Sequence, residues 1–462
     1  MGHSSIQYKL NNTSDCSSRY LLGSRSQIAI EGLRFRSSLA GRLIELTGKS
    51  VLLTTSDQLA AALAMIELDG VAKRLIICPP DIRPEQFPLV IARGGVDAVV
   101  SDYRLEEQGA FQAILQVSCG HSMIPEETSR SESRTTEWVL LTSGTTGAPK
   151  MIAHTLASLT APIAPNQPGS PGSGETVWGT FYDIRRYGGL QIFLRGVLGT
   201  GSLVLPDTAE LVGDHLIRLG ANGVTHLTGT PSHWRRALMS PQINRISPRY
   251  VRLSGEIADQ TILNGLHSVF PGASISHAFA STEAGVAFEV NDGKAGFPAS
   301  FLGKQGGVEM KVKNDTLRIK SNRNAHCYLD GDHGPLAGSD SFVDTGDVVE
   351  LRDGRYYFLG RINGVINVGG MKVYPEEVEA VINCHPAVRM SMVRPRKNPI
   401  TGALVSADIV LKETLDPAGV DIKSGILELC RQNLPAHKIP ATIRLVQALE
   451  VAAAGKLVRF HA

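Results

Sequence analysis

The spacing of apolar and polar residues changes period repeatedly along the chain. Between residues 27 and 102, stretches with apolar positions three or four apart alternate with short, continuous apolar runs. This spacing predicts helices over 37–46 and 57–68, and strands over 50–53, 74–78 and 97–100, the second of them stopped by Pro79-Pro80. Alternating units of this kind predict a parallel sheet covered by helices. Trp138-Val139-Leu140-Leu141 reads as another buried strand, and the glycines at 199 and 201 as a turn into a further one. A hairpin turning at Arg352-Asp353-Gly354 follows, and Pro375 with Glu376-Glu377 marks a helix start. From Val388 the pattern gives a strand, a turn at Asn398-Pro399, a strand over 403–411, a helix over 422–430 and a strand over 442–446, a compact α+β unit. Residues 124–136 are polar and read as a connecting loop, while 162–174 form a Pro/Gly/Ser-rich surface loop.

Composition adds bounds. With 462 residues, 42% hydrophobic and 19% charged, the chain has room for two or more globular domains. Its 46 basic residues nearly balance 44 acidic ones, so no electrostatic footprint for nucleic acid or a membrane surface stands out. The six cysteines, at 16, 78, 119, 327, 384 and 430, lack metal or redox spacing and are expected as free, buried thiols in a reducing cytosol. No apolar run is long enough to span a bilayer, and the first residues lack the apolar centre of a signal peptide, so a cytoplasmic location is expected.

Candidate chemistry begins at residues 141–150, LTSGTTGAPK. Gly144 and Gly147 let backbone N–H groups turn inward, Thr142, Ser143, Thr145 and Thr146 add hydroxyls, and Lys150 adds a charge, a combination suited to phosphate. The spacing is not that of a Walker A loop. In FASTEAG, residues 279–285, Glu283 offers a carboxylate oxygen for Mg²⁺ and Thr282 a hydroxyl for a phosphate oxygen. The acceptor-only carboxylate of Asp347, in VDTGD, suits two ribose hydroxyls, and Arg361 can reach ribose or phosphate. Taken singly, these could be an ordinary turn, a helix cap and another turn. His226 and His233 lack a third ligand nearby and read as core or pocket histidines, and Arg185-Arg186 as a solvated pair rather than carboxylate partners.

LTSGTTGAPK resembles the [ST]SGTTGxPK signature of the acyl-adenylate-forming enzymes, which include acyl-CoA synthetases, adenylation domains of peptide synthetases and luciferases. The remaining stations occur in that family's order: RLSGE at 252–256, FASTEAG, VDTGD with LGR, the loop from Asn363 into Pro375, and AGKLVR at 454–459. The resemblance runs from about residue 27 to the end and departs from the pattern at Phe279 for Tyr, Ala280 for Gly, Asn363 for Asp or Lys, and Val451 and Ala453 for Pro and Thr. It implies nucleotide contacts from Thr142, Ser143, Gly144, Thr145, Thr146, Gly147, Lys150, Gly255, Glu256, Phe279, Ala280, Ser281, Thr282, Asp347, Arg361 and Lys456. It gives catalytic parts to Lys456, Glu283, Thr145 and Lys150, the metal to Glu283 and Thr145, and a hinge to Asn363. Tyr182, Tyr187, Gly188, Trp234, His277 and Ala278 would line the pocket for the acid.

The fold so implied is α/β, with a large N-terminal domain of parallel and mixed sheets with helices over 1–361 and a small, mobile α+β domain over 362–462. The implied reaction uses MgATP to convert a carboxylic acid to acyl-AMP, after which coenzyme A takes the acyl group as a thioester. Gly369-Gly370 would admit its pantetheine arm. Without an appended carrier domain, the chain is most similar to stand-alone aryl- or fatty-acid-CoA ligases. Three alternatives stay open: loading the phosphopantetheine of an acyl carrier protein, transfer to a nitrogen nucleophile, and nucleotide binding without catalysis.

Overall fold

The computed structural model describes residues 5–12, 18–105, 109–112, 114–125, 134–142, 149–163, 176–329, 334–399, 401–412, 421–450 and 456–457. Its first large sheet has seven strands in the order Cys327–Tyr328, Lys150–Thr155, Glu137–Thr142, Arg74–Ile77, Ser50–Thr54, Ala98–Ser101, Leu115–Ser118. The last five run parallel and the first two antiparallel. Every residue of Ser50–Thr54 and Ala98–Ser101 is buried, as expected where both faces of a parallel sheet are covered. Helix Gln58–Leu68, capped by the Asp57 side chain on Ala60 N–H, is buried on all sides and belongs to one core shared with strands of two sheets. Its sequence is therefore apolar all round instead of carrying a single apolar face.

The second sheet has eight strands, in the order Gly285–Val290, Ser274–Ser281, Tyr250–Ser254, His226–Gly229, Val177–Thr180, Ser202–Val204, Tyr20–Leu22, Gln27–Ala29. On one of its faces Val251 and Leu253 pack against helices Val212–Ala221, Pro231–Ala237 and Gln260–Val269. Because side chains alternate along a strand, Tyr250 and Arg252 point to the other face. A six-stranded antiparallel sheet follows, containing the hairpin Val343–Arg352 and Arg355–Arg361. The C-terminal part forms a five-stranded sheet with helices Pro375–Asn383 and Ile422–Asn433 around its own core, which includes Val378, Ile382, Ile409 and Ile426. The expected α/β architecture, a larger mixed part followed by a smaller one, is what the chain adopts.

One expected element is absent. Residues 37–46 do not form a helix: Arg36–Ser37 pairs with Ile124–Pro125, and only Leu43–Leu46 coils, as a 3-10 turn. The Glu67 carboxylate takes hydrogen bonds from Ser37 Oγ (2.6 Å), Ser38 N (2.7 Å) and Ser38 Oγ (2.6 Å), and the next residues, Ala40 and Gly41, have φ of 53° and 77°. A left-handed pair interrupts any helix. Among the described cysteines all five are free, but Cys384 is exposed. No helix among the described residues is long and apolar enough to cross a membrane.

Candidate active site

Parallel strands deliver loops at their C-terminal ends, and here two neighbours do so together. Tyr250–Ser254 leads into Gly255-Glu256, and Ser274–Ser281 into Thr282-Glu283. Gly255 has φ +88°, a left-handed conformation in which a side chain is strained, and a Cβ there would lie 3.4 Å from Lys456 Cε and 3.8 Å from its Nζ. The far end of the chain is thus seated on the tip of a central strand. Glu256 helps hold it, accepting hydrogen bonds from Ser232 N (2.8 Å), Ser232 Oγ (3.0 Å) and Leu457 N (3.4 Å).

The hairpin brings a second pair of charges. Asp347 and Arg361 are register partners, and Arg361 Nε donates to Asp347 Oδ1 at 3.1 Å. The other oxygen, Oδ2, is buried without a hydrogen-bond partner among the described residues, a state that costs about 1–3 kcal/mol and marks it as an acceptor awaiting a donor. Burial pushes the Asp347 carboxyl above its usual range, against the pull of Arg361. The Lys456 residue is exposed, yet the atoms packed around its ammonium and the charge of Arg361 lower its pKa, while Glu256 and Asp347 act the other way.

The Thr282-Glu283 turn is fixed from the first sheet. His154 Nε2–H donates to Thr282 O at 2.7 Å, Nδ1 lies 3.1 Å from Ser158 Oγ, and Ala325 N donates to Glu283 O at 2.9 Å. Burial lowers the His154 pKa to about 4, so the ring is neutral near pH 7 and the carbonyl selects the Nε2–H tautomer. The Glu283 side chain has no hydrogen bond or ion pair among the described residues, and its charge is felt by Arg361. Ser281 Oγ caps the same turn by accepting from Ala284 N at 3.0 Å.

Of the phosphate-loop residues, Ser143, Gly144, Thr145, Thr146 and Gly147 lie outside the described residues. Thr142 and Lys150 face each other across the hairpin that frames the loop, with Lys150 Nζ 5.7 Å from the centre of the Tyr328 ring. At the other end of that hairpin, ligand atoms of Glu137, His326 and Cys327 gather within 4.8 Å of one another, but Arg74 already pairs with Glu137.

The expected acid-pocket residues do not share one surface. Tyr182 donates its hydroxyl to Ser254 O (2.8 Å), its ring lies 3.5 Å from where a Gly188 Cβ would be, and Tyr187 is 5.6 Å from the His154 ring. Ala278 and Ala280 are on the Arg252 side of the sheet, whereas His277 is on the opposite side with its Nε2–H on Lys294 O (2.9 Å). Trp234 is fully buried against Phe181 and Phe270 in the core beneath that side, so its whole surface is taken up by protein. Phe279 stacks on Phe358 and Phe288, with centroids at 5.1 and 5.8 Å.

Other expectations change as well. The Arg185-Arg186 pair is not a solvated face: Arg185 is fully buried and doubly bonded to Asp183, and Arg186 pairs with Asp81. His226 and His233, by contrast, are packed into the protein as expected, the first on Trp178 and Tyr250, the second accepting from Thr230 N at 3.1 Å, and burial lowers their pKa values to about 4 and about 3. Reading by motif missed His154 and a charged group of Arg195, Arg252 and Glu289 with Arg323 near Tyr187, in which only Arg252 is buried. The available signal was a charge inside an otherwise apolar strand, as in Tyr250-Val251-Arg252-Leu253 and Val286-Ala287-Phe288-Glu289.

A family model described as AMP-binding enzyme matches residues 46–329, and one for the AMP-binding enzyme C-terminal domain matches 377–456. The chain belongs to the AMP-binding enzyme family. Among its relatives is an oxalate–CoA ligase of Arabidopsis thaliana, 28% identical over 226 residues, 46% of this chain and 43% of that protein. The chain therefore spans less than half the length of that AMP-binding relative. A 2-succinylbenzoate–CoA ligase of Salmonella typhimurium is 26% identical over 75% of this chain and 73% of its own. The AMP-binding fold is shared with the anthranilate CoA ligase AuaEII, solved in complex with anthranoyl-AMP, at a TM-score of 0.80 and 17% identity, covering 98% and 95% of the two chains.

Proposed function

We propose that this protein activates a carboxylic acid with ATP as an acyl-adenylate and transfers the acyl group to the thiol of coenzyme A. The observation that carries the reading is Lys456, brought from the end of the chain to Gly255, between the Glu256 carboxylate and the Asp347–Arg361 pair. A cation held there stabilises charge that develops as the acid's oxygen bonds to the α-phosphorus and the bond to pyrophosphate breaks. The unpartnered Asp347 Oδ2 would accept from ribose, and Arg361, Thr282 and Lys150 would hold phosphate or ribose oxygens.

The half-buried Glu283 carboxylate, free of any protein partner among the described residues, is a hard oxygen ligand and fits Mg²⁺, with Thr145 as a second ligand. The ion would neutralise phosphate charge. His154 keeps Glu283 in place by anchoring the preceding carbonyl. In the second half-reaction sulfur attacks the acyl carbon, the carbon–oxygen bond to AMP breaks, and AMP leaves. Asn363, exposed in the turn Ile362–Gly364, is the pivot about which the part over 362–462 swings to admit the thiol, leaving 1–361 in place.

An ATP–pyrophosphate exchange screen over aryl, fatty and dicarboxylic acids tests this, because only a true substrate supports the reverse half-reaction. Mass analysis after adding coenzyme A, a carrier protein or an amine then identifies the acceptor. Acid-dependent exchange followed by an acyl-CoA product is expected. Nucleotide binding with no exchange across the panel overturns the reading, and an amide without a thioester replaces its second half.

A further inference from the structure

Arg252 is an unusual residue for the middle of a covered strand. Its side chain is 7% exposed, its Nε is sealed from solvent without a hydrogen-bond partner, and its nearest carboxylate, Glu289, lies 3.6 Å away, beyond hydrogen-bonding distance. Glu289 is itself engaged, accepting from the Tyr250 hydroxyl at 2.6 Å. Two more guanidinium groups approach the same space. Arg195, on helix Tyr187–Leu198, donates to Pro162 O (3.2 Å) and Arg323 to Val286 O (2.9 Å), and the Nε of each is buried and unpartnered. All three arginines act electrostatically on the Tyr187 hydroxyl, and Arg195 and Arg252 act on each other. Burial, reinforced by Arg252 and opposed by Tyr250 and Glu289, lowers the Arg195 pKa to about 10.

Arg252 and Arg195 thus face a single carboxylate, Glu289, which is itself partly open to solvent. A buried guanidinium without hydrogen bonds is costly, and cores rarely keep one unless something completes it. The position also matters. Tyr187 starts the helix that runs past Tyr182 and Gly188, and Arg195 lies two turns farther along it, away from the Gly255 tip where the nucleotide would be. An acid whose reacting carboxylate is at Lys456 would extend toward this cluster.

We propose that Arg252 and Arg195, supported by Arg323, form an anion-binding end wall of the acid pocket, so that the acid activated is a dicarboxylate whose second carboxylate is bound there. The inference rests on the adenylation reading. Planar guanidinium donors match a carboxylate in shape as well as charge, and the diacid would supply the acceptors that the protein does not.

The test uses matched sets: hexanedioate, its monomethyl ester and hexanoate, and benzene-1,4-dicarboxylate, its monomethyl ester and benzoate. With the full chain, kcat/KM in pyrophosphate exchange is expected to favour the best diacid over its own half-ester by about 30-fold or more. Arg252→Leu and, separately, Arg195→Met should collapse that ratio. The double variant Arg252→Leu with Glu289→Gln avoids leaving the Glu289 carboxylate without its arginine and should do the same if the single variant misfolds. Half-esters or monoacids within about threefold of the diacids, or a ratio unchanged in all three variants, overturns the proposal. Thermal stabilisation by the diacids is measured alongside: if no acid supports exchange but diacids still stabilise the wild type and not Arg252→Leu, the adenylation reading falls while the anion wall stands.

Discussion

At the end of the site proposed for the nucleotide, Arg361 lies against Asp347, and the charges of Glu256 and Asp347 act on Lys456. At the far end, Arg195 and Arg252 share Glu289, and the Arg252 guanidinium makes no hydrogen bond among the described residues, its nearest Glu289 oxygen lying 3.6 Å away. Both ends are built on the same strand, Tyr250–Ser254, so the contrast is not one of fold. Paired charges hold each other in fixed positions, which suits a centre that must orient a transferring phosphate. Arginines whose donors outnumber the acceptors around them gain most from a ligand, which suits a wall that chooses between substrates.

The comparison can be broken most severely at its catalytic end. Lys456→Ala should lower the exchange kcat by about 10²–10³-fold, the range typical of removing one group aimed at developing charge, with a smaller effect on the KM for ATP. Unaltered acyl-AMP formation would remove the lysine from the mechanism. Next in size, Asp347→Asn should raise the KM for ATP by about tenfold while kcat falls less, since it weakens a charged acceptor without vacating the position. At the far end, Glu289→Gln sharpens the contrast by removing the one anion: diacids should bind about threefold tighter by calorimetry, because the residue is partly exposed, and hexanoate should not respond. The smallest effect concerns pH. Because the Lys456 pKa is lowered in the folded protein, its proton leaves earlier as pH rises, so kcat should decline on the alkaline side at a lower pH than an ordinary lysine, near about 10.4, would give. Lys456→Arg, charged throughout, should shift that decline to higher pH, whatever its effect on the plateau.

Much of this was legible in the linear chain because the informative signals were local. The strands at Ser50–Thr54, Arg74–Ile77 and Glu137–Thr142 appear as continuous apolar runs, and the hairpin turns where Asp353-Gly354 demands it. Thr282, Glu283, Asp347 and Arg361 stood out because each belongs to a short motif. What escaped was non-local. Ser37 and Ser38 read as part of a helix until Glu67, thirty residues later in sequence, is seen to bind them. Trp234 read as a pocket ring because the motif does not say which face of the Pro231–Ala237 helix meets Phe270. Arg252 went unremarked inside a familiar motif, since its lack of partners exists only once helix Tyr187–Leu198 and strand Gly285–Val290 are laid around it.

Gly255 carries a double constraint. Its left-handed backbone penalises any substituent, and the volume a methyl group would fill there borders the terminal lysine's methylene and ammonium. Alanine at that position would therefore strain the strand exit, with its methyl group meeting the lysine stem at ordinary contact distance. In a saturation library screened separately for folding and for turnover, this site should tolerate almost nothing in the second assay even where the first forgives it, so that a residue with no functional group governs whether a remote cation can dock.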